Sequence, residues 1–155
     1  MKRVLFVLGQ LSDQDIEWMI DNGTKQSIQQ GNYLVQQGNR LDHIYLILSG
    51  HFRIYDQAKS DVSISTISSG EIIGEMSFLD DHPPTVSVVA LENSSVHAIP
   101  LDQMQQYMAD NRDFAARFYY SIALFLSDRL RKTTSRLGYG EVDEDTDELN
   151  FQVLE

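Results

Sequence analysis

Three textures of apolar and polar residues follow one another along the chain. Between Ser12 and Gly23 the apolar residues Ile16, Met19 and Ile20 recur on one helical face. Ser12 stands as an N-cap, with Asp15 three residues on in a capping-box position. Leu11 and Ile16 are placed for a hydrophobic staple, and Gly23 ends the segment. From Ile28 to Ile99 the apolar runs are short and β-branched or aromatic: 33–35, 44–48, 52–55, 62–65, 86–89 and 96–99. Gly31, Gly38, Gly50, Gly70 and Gly74 punctuate them. Many short strands at this spacing predict an antiparallel sandwich, jelly roll or barrel. After Pro100 the helical period returns. Met104, Tyr107 and Met108 share one short face, and Asp110 or Asn111 is placed to cap a longer helix from about 112 to 136.

That last helix carries the stripe Phe114, Phe118, Ile122, Phe125 and Leu130, with Arg129, Arg131, Lys132 and Arg136 towards its C-terminal end, where cations suit the helix dipole. A helix of about 25 residues is roughly 37 Å long. That exceeds what a small barrel covers, so the stripe is expected to pair with a second copy as a homodimer interface. The expected fold class is α+β but mainly β. An antiparallel β-roll or jelly-roll barrel at about 28–99 lies between a short N-terminal helix and C-terminal helices, the last one long. Residues 1–137 then form one domain and 138–155 an acidic, weakly ordered tail.

Composition narrows the function. With 155 residues there is room for one domain, and 42% apolar residues suffice for a core. The net charge is −11, and seven acids without a base lie in residues 141–155, which leaves −4 on the rest. Neither value suits a nucleic-acid or anionic-membrane surface. The absence of cysteine excludes disulfides, thiol nucleophiles and thiolate metal sites, and fits a cytoplasmic setting. Lys2-Arg3 followed by Val4 to Leu8 is too short a run for a signal peptide, and no run reaches the roughly 18 apolar residues of a membrane span. Leu154-Glu155 reads equally as a cloning remnant or as the cut end of a longer chain.

The chemistry concentrates in residues 70–90. Gly74 permits a tight turn after a strand, and Glu75 follows an apolar run and is expected to point inward. Residues 76–79 can form one helical turn with free amides, and a strand from Thr85 to Leu91 closes the unit. A carboxylate beside an anion-binding turn suits a sugar phosphate. The plainer reading makes Glu75 a structural acid that satisfies the turn's own amides.

The glycine framework, the segment Gly70-Glu71-Ile72-Ile73-Gly74-Glu75-Met76-Ser77 and the segment Pro83 to Ala90 together resemble the cyclic nucleotide-binding domain family over about residues 5–137. This is the fold of catabolite activator proteins and cAMP-dependent kinase regulatory subunits. The resemblance implies a bacterial-type regulatory or sensor domain, not an enzyme, with no cofactor and no metal. It implies that Gly74 and Glu75 open a phosphate-binding cassette in which Glu75 binds the ribose 2′-hydroxyl. The amides near Met76 and Ser77 contact the cyclic phosphate, as does Thr85, which stands where the family often has Ser. Thr133 and Thr134 fall where some members place a Thr-Ser pair against adenine; the plainer reading makes them helix-end residues.

One departure matters. Pro84 stands where the family has its phosphate-binding Arg, and proline offers neither charge nor N–H. Losing a charged hydrogen bond costs about 1.5–3 kcal/mol. Cyclic AMP or cyclic GMP is therefore expected to bind weakly or not at all. His82 is the candidate substitute for the missing charge, with a solvated loop histidine as the plainer reading. Two alternatives stand beside the sensor: an interaction or dimerisation module that kept the fold without its ligand, and a cupin-like metalloenzyme. The latter needs a His-x-His-x(3–4)-Glu set, and Gly50-His51-Phe52-Arg53 lacks the second histidine.

Overall fold

A computed structural model describes residues 9–59, 63–136 and 138. The apolar N-terminal run 4–8, Val62 and the acidic tail beyond 138 lie outside the described residues.

Helix α1 (Asp13–Asp21) starts on the capping box that its sequence predicts. The Ser12 hydroxyl accepts from the Asp15 amide, and Asp15 Oδ2 accepts from the Ser12 amide. Eight strands follow: β1 (Thr24–Ile28), β2 (Tyr33–Val35), β3 (His43–Ser49), β4 (His51–Tyr55), β5 (Ser63–Ser68), β6 (Ile72–Ile73), β7 (Ser87–Ala90) and β8 (Ser94–Pro100). They form two four-stranded antiparallel sheets, ordered β1-β8-β3-β6 and β2-β7-β4-β5. Short helix α2 (Glu75–Asp80) interrupts the strands between β6 and β7. Helices α3 (Leu101–Asp110) and α4 (Arg112–Arg136) follow β8. This is the β-roll with flanking helices expected from the apolar pattern.

The boundaries differ in two places. The roll begins at Thr24 rather than near Ile28, because β1 is an edge strand with mostly polar residues and its pairing with β8 holds it in place. The strand expected from Thr85 begins at Ser87, after a bend at Thr85-Val86. Asn111 stands directly before α4, where its carbonyl accepts from the Ala115 amide at 3.0 Å, and its Nδ2 donates back to Tyr107 O at 3.0 Å.

The period of two in the strands divides the apolar residues between two cores. On β3, Ile47 faces the roll interior with Phe52, Ile54, Ile67, Ile73, Val88 and Val96. Ile44, on the opposite face, joins Ile72 and Ile99 beneath the helices. Helix α4 completes this second core with Phe114, Phe118, Ile122 and Phe125, each 2% exposed or less. Phe118 lies edge-on to Phe78 of α2, 5.7 Å between ring centroids, and Trp18 of α1 stacks on Tyr107 of α3 at 4.0 Å.

The expected dimer stripe is thus corrected. Phe114, Phe118, Ile122 and Phe125 are already covered by the chain's own barrel and short helices, which pack along α4 further than the length argument allowed. Leu130 alone of the stripe faces outward, 68% exposed. No described helix is long and apolar enough to cross a membrane.

Candidate functional site

The roll interior opens into a cavity of about 110 Å³. Its floor is apolar, with Val35, Ile54, Ile67, Ile73 and Val88 from five strands. Its rim is the segment between β6 and β7, with Leu41 from the β2–β3 loop. The predicted residues Gly74, Glu75, Met76, Ser77, His82, Pro84 and Thr85 all line it.

Local sequence explains how the rim is built. Gly74 has φ 98°, which any other residue adopts only with strain, and a Cβ there would lie 3.1 Å from the His43 carbonyl oxygen. The chain therefore turns from β6 directly into α2, and Glu75, the first residue of that helix, is buried at 3% exposure. Asp81 ends α2 in the left-handed region. The β2–β3 loop clasps the far side. The Gly38 amide donates to Pro84 O at 2.9 Å, the Gln37 amide to Ser87 Oγ at 3.0 Å, and Arg40 Nη1 to Asp81 Oδ1 at 3.0 Å.

Glu75 has a partner that sequence reasoning missed. Arg129 of α4 reaches into the cavity and donates from Nη1 to Glu75 Oε1 at 3.0 Å. Burial pushes the Glu75 carboxyl up from its ordinary value. The Arg129 guanidinium and the amides of Glu75 itself and Gly74 pull the other way without cancelling it. The amides of the turn thus serve the acid in part, as the plainer reading of Glu75 required. An arginine does meet Glu75, but it comes from the last helix, and Pro84 leaves the cassette itself without one. Arg129 belongs to the basic cluster near the C-terminal end of α4 that the sequence shows, and nothing local in that cluster pairs it with Glu75.

Thr133 and Thr134 are not brought to the cavity. They lie on α4 beyond Arg129, half-buried, and the Thr134 hydroxyl donates to Leu130 O at 2.7 Å, within its own helix. His82 is exposed at the rim, with its amide donating to Asp80 Oδ1. The other histidines sit in strands: His43 on β3, His51 beside Glu92 at 2.6 Å, and His97 against Met19 O at 2.8 Å. Among the described residues no group of three or more His, Asp and Glu is placed to hold a metal ion.

The profile of the cyclic nucleotide-binding domain matches residues 25–111, from the first strand through the end of α3. The chain belongs to the cyclic nucleotide-binding domain family. Rat cGMP-dependent protein kinase 2 is 30% identical over 121 residues, covering 76% of this chain and 16% of the kinase. The cyclic AMP receptor protein of Thermus thermophilus is 23% identical over 146 residues, covering 93% of this chain and 66% of that protein. The chain thus spans a small part of the kinase and about two thirds of the receptor protein. Among solved structures, a cyclic nucleotide-binding domain from Methylobacillus flagellatus superposes with a TM-score of 0.79 at 19% identity, over 92% of this chain and 84% of that one. At that identity the likeness establishes the fold: a mainly antiparallel roll with a short helix before it and a long one after it.

Proposed function

We propose that this cyclic nucleotide-binding domain is a regulatory sensor, which takes a small ligand in the roll cavity and reports it through α4. One observation carries the reading. Arg129, the cavity's contact with α4, is bound to Glu75, the acid that the family resemblance assigns to ligand hydroxyls. A ligand that engages Glu75 competes with or joins this contact. Binding therefore changes a bond that holds the long helix, and the ligand's differential interaction with two helix positions drives the switch.

In this reading the protein is cytoplasmic and not a catalyst, and α4 also joins two copies. The outer face of α4 suits the second role. Ala116, Tyr120, Ala123, Ser127 and Leu130 are all exposed and follow the four-three spacing of a coiled-coil seam. This face replaces the buried phenylalanine stripe as the candidate interface.

Titration calorimetry with cyclic AMP and cyclic GMP, paired with hydrogen exchange along α4, tests the sensor. Binding that alters protection around Arg129 supports it. Binding that leaves α4 unchanged contradicts the signalling route. The reading of a ligand-free interaction module draws on Pro84 and on the Glu75–Arg129 pair, which satisfies the cavity's acid without a ligand. Mass spectrometry of the purified protein addresses it directly, since a co-purified small molecule is incompatible with an empty module.

A further inference from the structure

The charges around the roll cavity are matched among themselves. Among the described residues Arg129 is the one Lys or Arg that lines it, and Glu75 already engages it at 3.0 Å. Asp80 adds a second carboxylate at the rim. Arg40 lies outside the cavity lining and is bound to Asp81. Pro84 contributes neither charge nor N–H. An anion entering this space meets one cation that already engages an acid, a second acid at Asp80, and the exposed ring of His82 at the rim. Its lost hydration is poorly replaced.

An uncharged hydroxyl meets different chemistry. It donates to the Glu75 carboxylate and accepts from the Arg129 guanidinium, so adjacent hydroxyls fit the pair without adding charge. The floor is apolar, lined by Ile54, Ile67, Ile73 and Val88, and suits the body of a ring.

We propose that the cavity takes an uncharged, ring-bearing polyol, in chemical class an unphosphorylated nucleoside, in preference to a cyclic nucleotide. The proposal rests on the reading of the cavity as a ligand site and assigns its ligand class. The ionic strength of the medium matters little to such a ligand, because binding neutralises no net charge.

Calorimetry on the intact chain with adenosine, guanosine, cyclic AMP and cyclic GMP, at low and at physiological salt, tests it. The expected result is that a nucleoside binds roughly 10-fold or more tighter than its cyclic monophosphate, the factor that one unmatched charged group carries. Its affinity should be nearly unchanged by salt. A cyclic nucleotide that binds as tightly as its nucleoside overturns the assignment and leaves the sensor reading standing. Failure of all four compounds to bind overturns both, and returns the cavity to the interaction-module reading.

Discussion

Arg129 of α4 donates to Glu75 of α2 across 3.0 Å, with the acid 3% and the arginine 24% exposed. A second arginine on the same helix repeats the device. Arg117 holds the buried Asp15 of α1 with two bonds, Nε to Oδ2 at 2.7 Å and Nη2 to Oδ1 at 3.0 Å. The long helix is therefore fastened to the rest of the fold at two charged points about 18 Å apart along its axis. One lies in the cavity and the other in the first turn of α1.

The two partners of the cavity pair are predicted to be unequal in their removal. Arg129→Met strands a buried carboxylate and should destabilise by about 3–5 kcal/mol at neutral pH. Glu75→Gln leaves an arginine that still reaches water and removes an acid whose ionisation opposes folding, so at most about 1 kcal/mol is expected. The double variant should be less destabilised than the two losses added together, because neither stranded charge remains. Urea unfolding of the four proteins measures this, and strict additivity would count against the pair.

Acid titration should separate Asp15 from Glu75, both of them buried. Burial raises the Asp15 carboxyl, but the bonds from Arg117 and from Ser12 outweigh it and hold the group below its ordinary 3.8. Its stabilising share is then present above that value and lost as pH falls through the lowered pKa. Glu75 behaves with the opposite sign. Its carboxyl is held above the ordinary 4.5, so it costs stability as pH rises through its titration. Asp15→Asn should lower stability at neutral pH and flatten the loss below about pH 4. Stability of that variant that still falls as steeply in acid would refute the assignment.

Core and outer face of α4 should respond differently. Phe118→Ala opens a hole under the helices and should cost about 3–5 kcal/mol while leaving the association of folded molecules alone. Phe125→Asp should unfold the chain rather than dissociate it, since Phe125 is 2% exposed within one molecule. Tyr120→Asp and Leu130→Asp touch exposed positions and should keep the stability of the single chain. If the α4 seam joins two copies, either change shifts sedimentation to the monomer. Wild-type chain that sediments as a monomer at high micromolar concentration removes the seam from consideration.

Replacement of Pro84 tests the cassette departure. Pro84→Arg should raise cyclic AMP affinity by roughly 10- to 150-fold, the value of one charged hydrogen bond. The neighbouring Gly38 amide bonds the Pro84 carbonyl, which the substitution retains, so the rim keeps its shape. Calorimetry on both proteins gives the ratio. A ratio near one would mean that residue 84 does not face the phosphate position.

Local signals carried most of the fold. Ser12 and Asp15 spell out the capping box that starts α1. Gly31, Gly38, Gly50, Gly70 and Gly74, read as turn punctuation, all have positive φ. The short β-branched runs became strands, because alternation over a few residues suffices to mark a half-buried strand. The polar β1 carried no such signal. Its place is set by pairing with β8, some seventy residues away.

The candidate site divides in the same way. The sequence by itself determined the family, the inward acid at Glu75, the glycine turn before it and the proline at 84, since these lie within one contiguous stretch. Tertiary structure decided which cation meets Glu75, that Thr133 and Thr134 stay out of the cavity, and which face of α4 is left over. A helical period shows that Phe114 to Phe125 share a face, but not what covers it. Only the packing of α1, α2, α3 and β3 against that face spends it inside one molecule. Only the position of α4 over the roll brings Arg129 to an acid 54 residues earlier in the chain. Apolar periodicity is a property of neighbours in sequence. A charge pair across the fold depends on distances that no local pattern encodes.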